Sequence, residues 1–239
     1  GQDSLGIIEL ENTIKKDPSS AKDLYTEIAS IYYKLKKYDQ VVIAIDKKTA
    51  IDVNSLNNND YFNAGRAYYN ISLPLFNAFV TSKDVKVKAA KEAEALPLLI
   101  KADSAFSGLV RKNPSWATAY TWKGRVNALV EILQKKEKEG LAKPWYEKVI
   151  ATIKPEEKTA SYKRDYIEAL EYLGAYYVTV SDKVKVNILF GGTVTKPTVK
   201  TSLKEEATNA VATVIYTHSL KPHVAVVYSG LLNFTGVMT

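Results

Sequence analysis

Cysteine is absent from the 239 residues, which excludes disulfides, thiolate nucleophiles and cysteine-ligated metals. Histidine is nearly absent too. His218 and His223 flank Lys221-Pro222, and two histidines without an organised carboxylate specify no metal site. No apolar run reaches the ~18 residues that a membrane-spanning helix needs. No Gly-rich phosphate loop, nucleophile elbow or zinc-protease motif is present. Gly191-Gly192 lacks the lysine and following helix of a phosphate loop. The carboxylate pairs Glu156-Glu157 and Glu205-Glu206 stand at helix starts, where the helix dipole explains them. The sequence therefore offers no catalytic group, cofactor or metal, and a non-enzymatic role is expected.

What is present is a globular composition, 46% hydrophobic and 25% charged, skewed to tyrosine: 16 against 6 phenylalanines. Tyrosine suits half-buried positions, where the ring packs and the hydroxyl stays wet. The net charge of +7 admits acidic partners. The lysines are scattered along helices and make no continuous stripe. Lys83–Lys91 lacks the interleaved aromatics of a nucleic-acid surface, so nucleic acid is not an expected partner. The start, Gly-Gln-Asp-Ser, is compatible with a cleavage scar or a mature N-terminus. An exported, periplasmic or cell-surface location is the expectation, with the cytoplasm still open.

Asp60–Asn70 (DYFNAGRAYYN) sets the pattern for the chain. Tyr61, Gly65 and Tyr68 share one helical face. A glycine inside such a helix costs about 1 kcal/mol relative to alanine, which is tolerable where a second helix must approach too close for a Cβ. The same small position recurs at Ala29 (LYTEIASIYYK), Gly124 (AYTWKGRVNA) and Gly174 (LEYLGAYYV). Helices are expected at Leu5–Lys16, Ala21–Lys36, Gln40–Ile51, about Asp60–Ser72, Trp116–Leu133 and Lys163–Val178. Two more are expected, one ending at Asn113-Pro114 and one in AKPWYEKVIATIKP. The spacing from Gly65 to Gly124 is stretched. The excess falls between Leu73 and Glu94, where Pro74 interrupts or kinks the helix, and predicts a loop or a prolonged, projecting helix pair. After Val180 the composition turns to valine and threonine. Residues 181–239 are an extension with a helix expected at 203–217, where Ser202 and Glu205 form a capping box. Its remainder is either strand or a fourth hairpin partner.

Taken together, the chain resembles the tetratricopeptide repeat (TPR) family. Tyr61, Gly65, Tyr68, Ala102, Phe106 and Pro114 carry the resemblance in the second repeat, and Tyr120, Gly124, Ala142 and Tyr146 in the third. Tyr25, Ile28, Ala29, Tyr32 and Ile45 carry it in the first, and Leu173, Gly174 and Tyr177 in the fourth. Lys48 and Lys123 depart from it. Over residues 5–180, with an insertion at about 73–94, the resemblance implies an all-α fold of antiparallel helical hairpins stacked as an α-α superhelix. The stretched repeats are similar to those of exported bacterial TPR proteins.

Such a stack buries each hairpin against its neighbours and lines a concave groove with the first helix of each pair. The resemblance then places Tyr33, Lys34, Phe62, Arg66, Tyr69, Asn70, Thr121, Trp122 and Arg125 on that groove, with Thr26, Ser30, Glu168, Glu171 and Thr179. Arg66 and Arg125 occupy the same place in consecutive repeats, so both could reach one carboxylate-bearing ligand. The alternative is that each bridges to an acidic side chain of an adjacent helix. The expected function is a scaffold that holds a protein or peptide partner. The second expectation is an assembly subunit that forms homo-oligomers through its C-terminal tail, whose strand edges would recruit others.

Overall fold

The computed structural model describes residues 2–157 and 161–180, and every described regular element is helical. The expectations for residues 181–239, including the helix at 203–217, lie outside the described residues. The chain divides between Ser115 and Trp116 into two compact units.

The first unit contains α1 (Gln2–Lys16), α2 (Ala21–Lys34), α3 (Tyr38–Ile51), α4 (Asn58–Thr81) and α5 (Val85–Lys112). Their ends follow from local chemistry. The Asp17 carboxylate accepts from the Ser19 amide and so caps the short turn that leads into α2. Asn57 and Asp60 close a capping box at the start of α4: the Asn57 side chain accepts from the Asn59 and Asp60 amides, and Asp60 accepts from the Asn57 amide. Consecutive helices pack as antiparallel hairpins, α2 with α3 and α4 with α5. Ile28, Ala29, Val41, Ala44, Ile45, Leu56, Ala64 and Ala67 form a continuous core across α2, α3 and α4. Ala29 is fully buried there, as its small-position role requires.

The stretched spacing is resolved as a prolonged helix pair, and the expected end of α4 near Ser72 is corrected. The helix runs through Pro74 to Thr81, and only Ser82-Lys83-Asp84 separates it from α5, which itself contains Pro97. Both prolines sit on the exposed side of their helix. The carbonyls that lose a proline N–H donor there lie toward water. The pair is held by two matching stripes. On α4, Gly65, Tyr69, Ser72, Phe76 and Phe79 are buried; on α5, Ala95, Leu99, Ala102, Phe106 and Leu109 are buried. Each stripe alternates steps of four and three residues, the spacing of a coiled-coil seam.

Contacts step back along α5 as they step forward along α4. Tyr61 meets Gly108, Gly65 meets Phe106, Tyr68 lies under Lys101 and Phe79 lies under Lys88. This register sets bulky residues against small ones, the Tyr61 ring against Gly108 and the Phe106 ring against Gly65. A Cβ on Gly65 would come within 2.6 Å of the buried Phe106 ring, which is the steric reason for a glycine inside this helix.

Lys48, a departure from the repeat pattern, is 1% exposed. Its ammonium donates to the Asp60 carboxylate and to the Thr26 hydroxyl, each at 2.7 Å, and Thr26 donates to the other Asp60 oxygen at 2.6 Å. One closed polar cluster thus ties α2, α3 and α4 at a position that departs from the repeat pattern.

The second unit contains α6 (Ala117–Gln134), α7 (Lys143–Thr152) and α8 (Lys163–Thr179). The α6–α7 hairpin repeats the close approach of the first unit: a Cβ on Gly124 would come within 2.7 Å of the Tyr146 ring. Gly140, at φ +66°, makes the turn between them in a conformation that favours glycine. Gly174 is buried on α8.

Candidate functional site

Consecutive hairpins bring α2 and α4 side by side in the first unit, and Arg66 lies on their shared face. Its guanidinium is sandwiched between aromatic rings, 3.9 Å from the Tyr33 centroid on α2 and 4.0 Å from the Phe62 centroid on α4. Tyr33 in turn packs against Tyr38, with centroids 5.5 Å apart. A cation between two π-faces is attracted to both, and the planar guanidinium stacks where an ammonium could not.

The Arg66 head is also steered by hydrogen bonds. Its Nη2 donates to Asn63 Oδ1 at 2.8 Å, and Asn63 Nδ2 donates to the Ser30 hydroxyl at 3.1 Å. Ser30 donates to the Thr26 carbonyl, and Thr26 belongs to the Lys48–Asp60 cluster. A polar chain therefore runs along the α2–α4 seam and ends at the guanidinium. What the chain lacks is an anion. No carboxylate pairs with Arg66 among the described residues, and its Nε is buried without an acceptor. Burial pulls the group below its ordinary pKa, while the Tyr33 and Tyr38 hydroxyls oppose that shift.

Other residues expected beside Arg66 fall as follows. Lys34 stands exposed in the last turn of α2. Asn70 folds back, its amide donating to the Arg66 carbonyl at 2.7 Å. Tyr69 is corrected: only 4% exposed, it lies on the buried stripe toward α5 rather than on an open face.

In the second unit, Arg125 also stacks on an aromatic ring, Trp122, at 4.4 Å. Unlike Arg66, it is paired. Its Nε and Nη2 grip both oxygens of Glu168 on α8, at 2.7 and 2.5 Å, and the Tyr146 hydroxyl donates to the same carboxylate at 3.1 Å. This is the bridge to an adjacent helix that sequence left as the alternative. Thr121 is corrected as well. It is fully buried and donates to the Ala117 carbonyl at 3.4 Å, because α6 is covered on nearly every side.

Sequence reasoning missed three features. Gly108, set against Tyr61, was a second glycine inside a helix and was visible as such. The two coiled-coil stripes were visible as four-three spacings. The burial of Lys48 had no signal beyond its departure from the pattern.

These hairpins, with a glycine under an aromatic ring at Gly65–Phe106 and again at Gly124–Tyr146, define a TPR-like helical-repeat fold. Neither a scan of protein-family models nor a search of curated proteins gave a match. Among solved structures, the chain is similar to a thermophilic TPR protein of Thermus thermophilus. That likeness has 15% identity over 89% of this chain and 92% of that chain, with a TM-score of 0.39.

Proposed function

We propose that the protein is a non-enzymatic interaction scaffold that holds a protein or peptide segment on the α2–α4 face, through a carboxylate on Arg66. One observation carries this reading: a guanidinium fixed by two rings and one amide, with a buried Nε that no acceptor among the described residues satisfies. Buried polar groups are nearly always hydrogen-bonded, so an orphan at a built site asks for a partner. An arginine–carboxylate pair is charge-assisted and directional. The Tyr33 and Phe62 rings supply apolar walls for the neighbouring atoms of the bound segment, and Lys34 adds a second positive charge.

Random-peptide display on the wild-type chain and on Arg66→Gln tests it. Peptides enriched on wild type should carry aspartate, glutamate or a free C-terminal carboxylate, and should bind Arg66→Gln at least tenfold more weakly. Recovery of the same peptides with equal affinity on both proteins would remove the assignment.

A further inference from the structure

Glu171 is used by nothing described so far. It lies on α8 at 2% exposure, and neither carboxylate oxygen has a hydrogen-bond donor among the described residues. The charged group that acts on it is Glu168, three residues earlier on the same helix. Glu168 cannot offer relief, because Arg125 from α6 and the Tyr146 hydroxyl from α7 already engage it. Among the described residues of α6 and α7, the charged groups near α8 make other contacts. On α7, Lys143 lies over the Tyr176 and Tyr177 rings, and Glu147 accepts from the Tyr177 hydroxyl. On α6, Glu131 accepts from the Ala142 amide and the Tyr172 hydroxyl, and Lys123 lies over the Trp145 ring. An ionised carboxylate in such a place is expensive to bury.

We infer that α8 packs onto α6 and α7 as a proton-linked element: it closes with Glu171 protonated and loosens when Glu171 gives up its proton to solvent. Burial, and then the Glu168 charge, push the Glu171 carboxyl up from 4.5 to about 7 in the packed state. Opening returns it to its ordinary value. Packing therefore takes up a proton across the interval between those two values. The stabilisation is complete below the ordinary carboxylate value and is lost as pH rises through about 7. Between pH 6 and 8 the linkage amounts to roughly a tenfold rise in the opening equilibrium.

Hydrogen exchange read by mass spectrometry on the full chain, corrected for intrinsic rates, tests this. Peptides covering α8 should lose at least tenfold protection from pH 6 to pH 8, while peptides covering α2 and α3 hold theirs. Glu171→Gln should cut that pH dependence by about tenfold, leaving what Glu131 contributes, because burial also pushes its carboxyl up to about 7 and it accepts from the Tyr172 hydroxyl of α8. Glu171→Leu serves if the amide folds poorly, and should do the same. A variant-independent measurement is the 13C carboxyl titration of the wild-type protein, in which one glutamate resonance, absent from the Glu171 variants, should titrate near neutrality. Equal α8 protection at both pH values, or a Glu171 resonance that titrates at about the ordinary 4.3, overturns the inference.

Discussion

Arg66 and Arg125 stand at the same place in consecutive repeats and sit on similar aromatic supports, yet they have opposite fates. Arg125 is neutralised within its own unit by Glu168, which reaches it from α8. Arg66 bonds an amide on its own helix, Asn63, and no carboxylate among the described residues, so its charge is positioned without being spent. The difference lies in the neighbours and not in the arginines. The lesson is that a repeat position shared by two residues predicts orientation, while the adjoining helix decides whether the residue is structural or available.

The largest expected effect falls on the polar cluster that anchors the Arg66 side. Lys48→Ala would leave Asp60 buried and unpaired, and removing one partner of such a pair costs about 3–5 kcal/mol. Urea denaturation should show it, and a loss below about 1 kcal/mol, the worth of an exposed pair, would mean that the cluster does not hold the seam.

Next comes the paired arginine. Arg125→Gln leaves the Glu168 carboxylate with Tyr146 as its donor, and should destabilise the protein by about 2–3 kcal/mol. Arg66→Gln forfeits stacking worth only about 1 kcal/mol. Parallel melts of the two variants test the comparison directly, and equal losses would break it. Glu168→Gln sharpens it from the other side. With its partner uncharged, Arg125 should gain dicarboxylate binding of its own, measurable by calorimetry with glutarate as a second site beside that of Arg66.

A smaller effect belongs to the close approach beneath Arg66. Gly65→Val forces two added methyl groups and a Cβ toward the Phe106 ring, and overpacking of this kind costs about 1–3 kcal/mol. Phe106→Leu in the same chain should return part of the loss, and a melt in which the double variant is no better than the single would argue against that contact as the cause.

Much of this architecture was legible in the sequence. The glycines at 65 and 124 mark tight crossings because only steric need justifies a glycine inside a helix. The excess over a fixed repeat period left the α4–α5 pair as one of two readings, and it is the four-three seam continuing past Pro74 that decides for it. A proline reads as a breaker in sequence, yet it is accommodated when it faces water. Tyr33, Phe62 and Arg66 were all placed on one face by the resemblance. Their stacking was not legible, since it depends on how closely α2 and α4 pack. Arg125 and Glu168 were likewise placed on one face, but pairing is a property of distance and not of spacing. Glu171 was expected on the open groove and is instead 2% exposed, because burial by neighbouring helices leaves no local mark.

The chain holds four arginines, Arg66, Arg111, Arg125 and Arg164, so their Nε–H resonances can be followed one by one. Titrating the wild-type protein with glutarate, with Arg66→Gln used for assignment, tests the availability of Arg66 most directly. The account predicts a saturable shift of the Arg66 resonance while that of Arg125, locked on Glu168, stays still. A motionless Arg66 resonance, or an Arg125 resonance that moves as much, would contradict it.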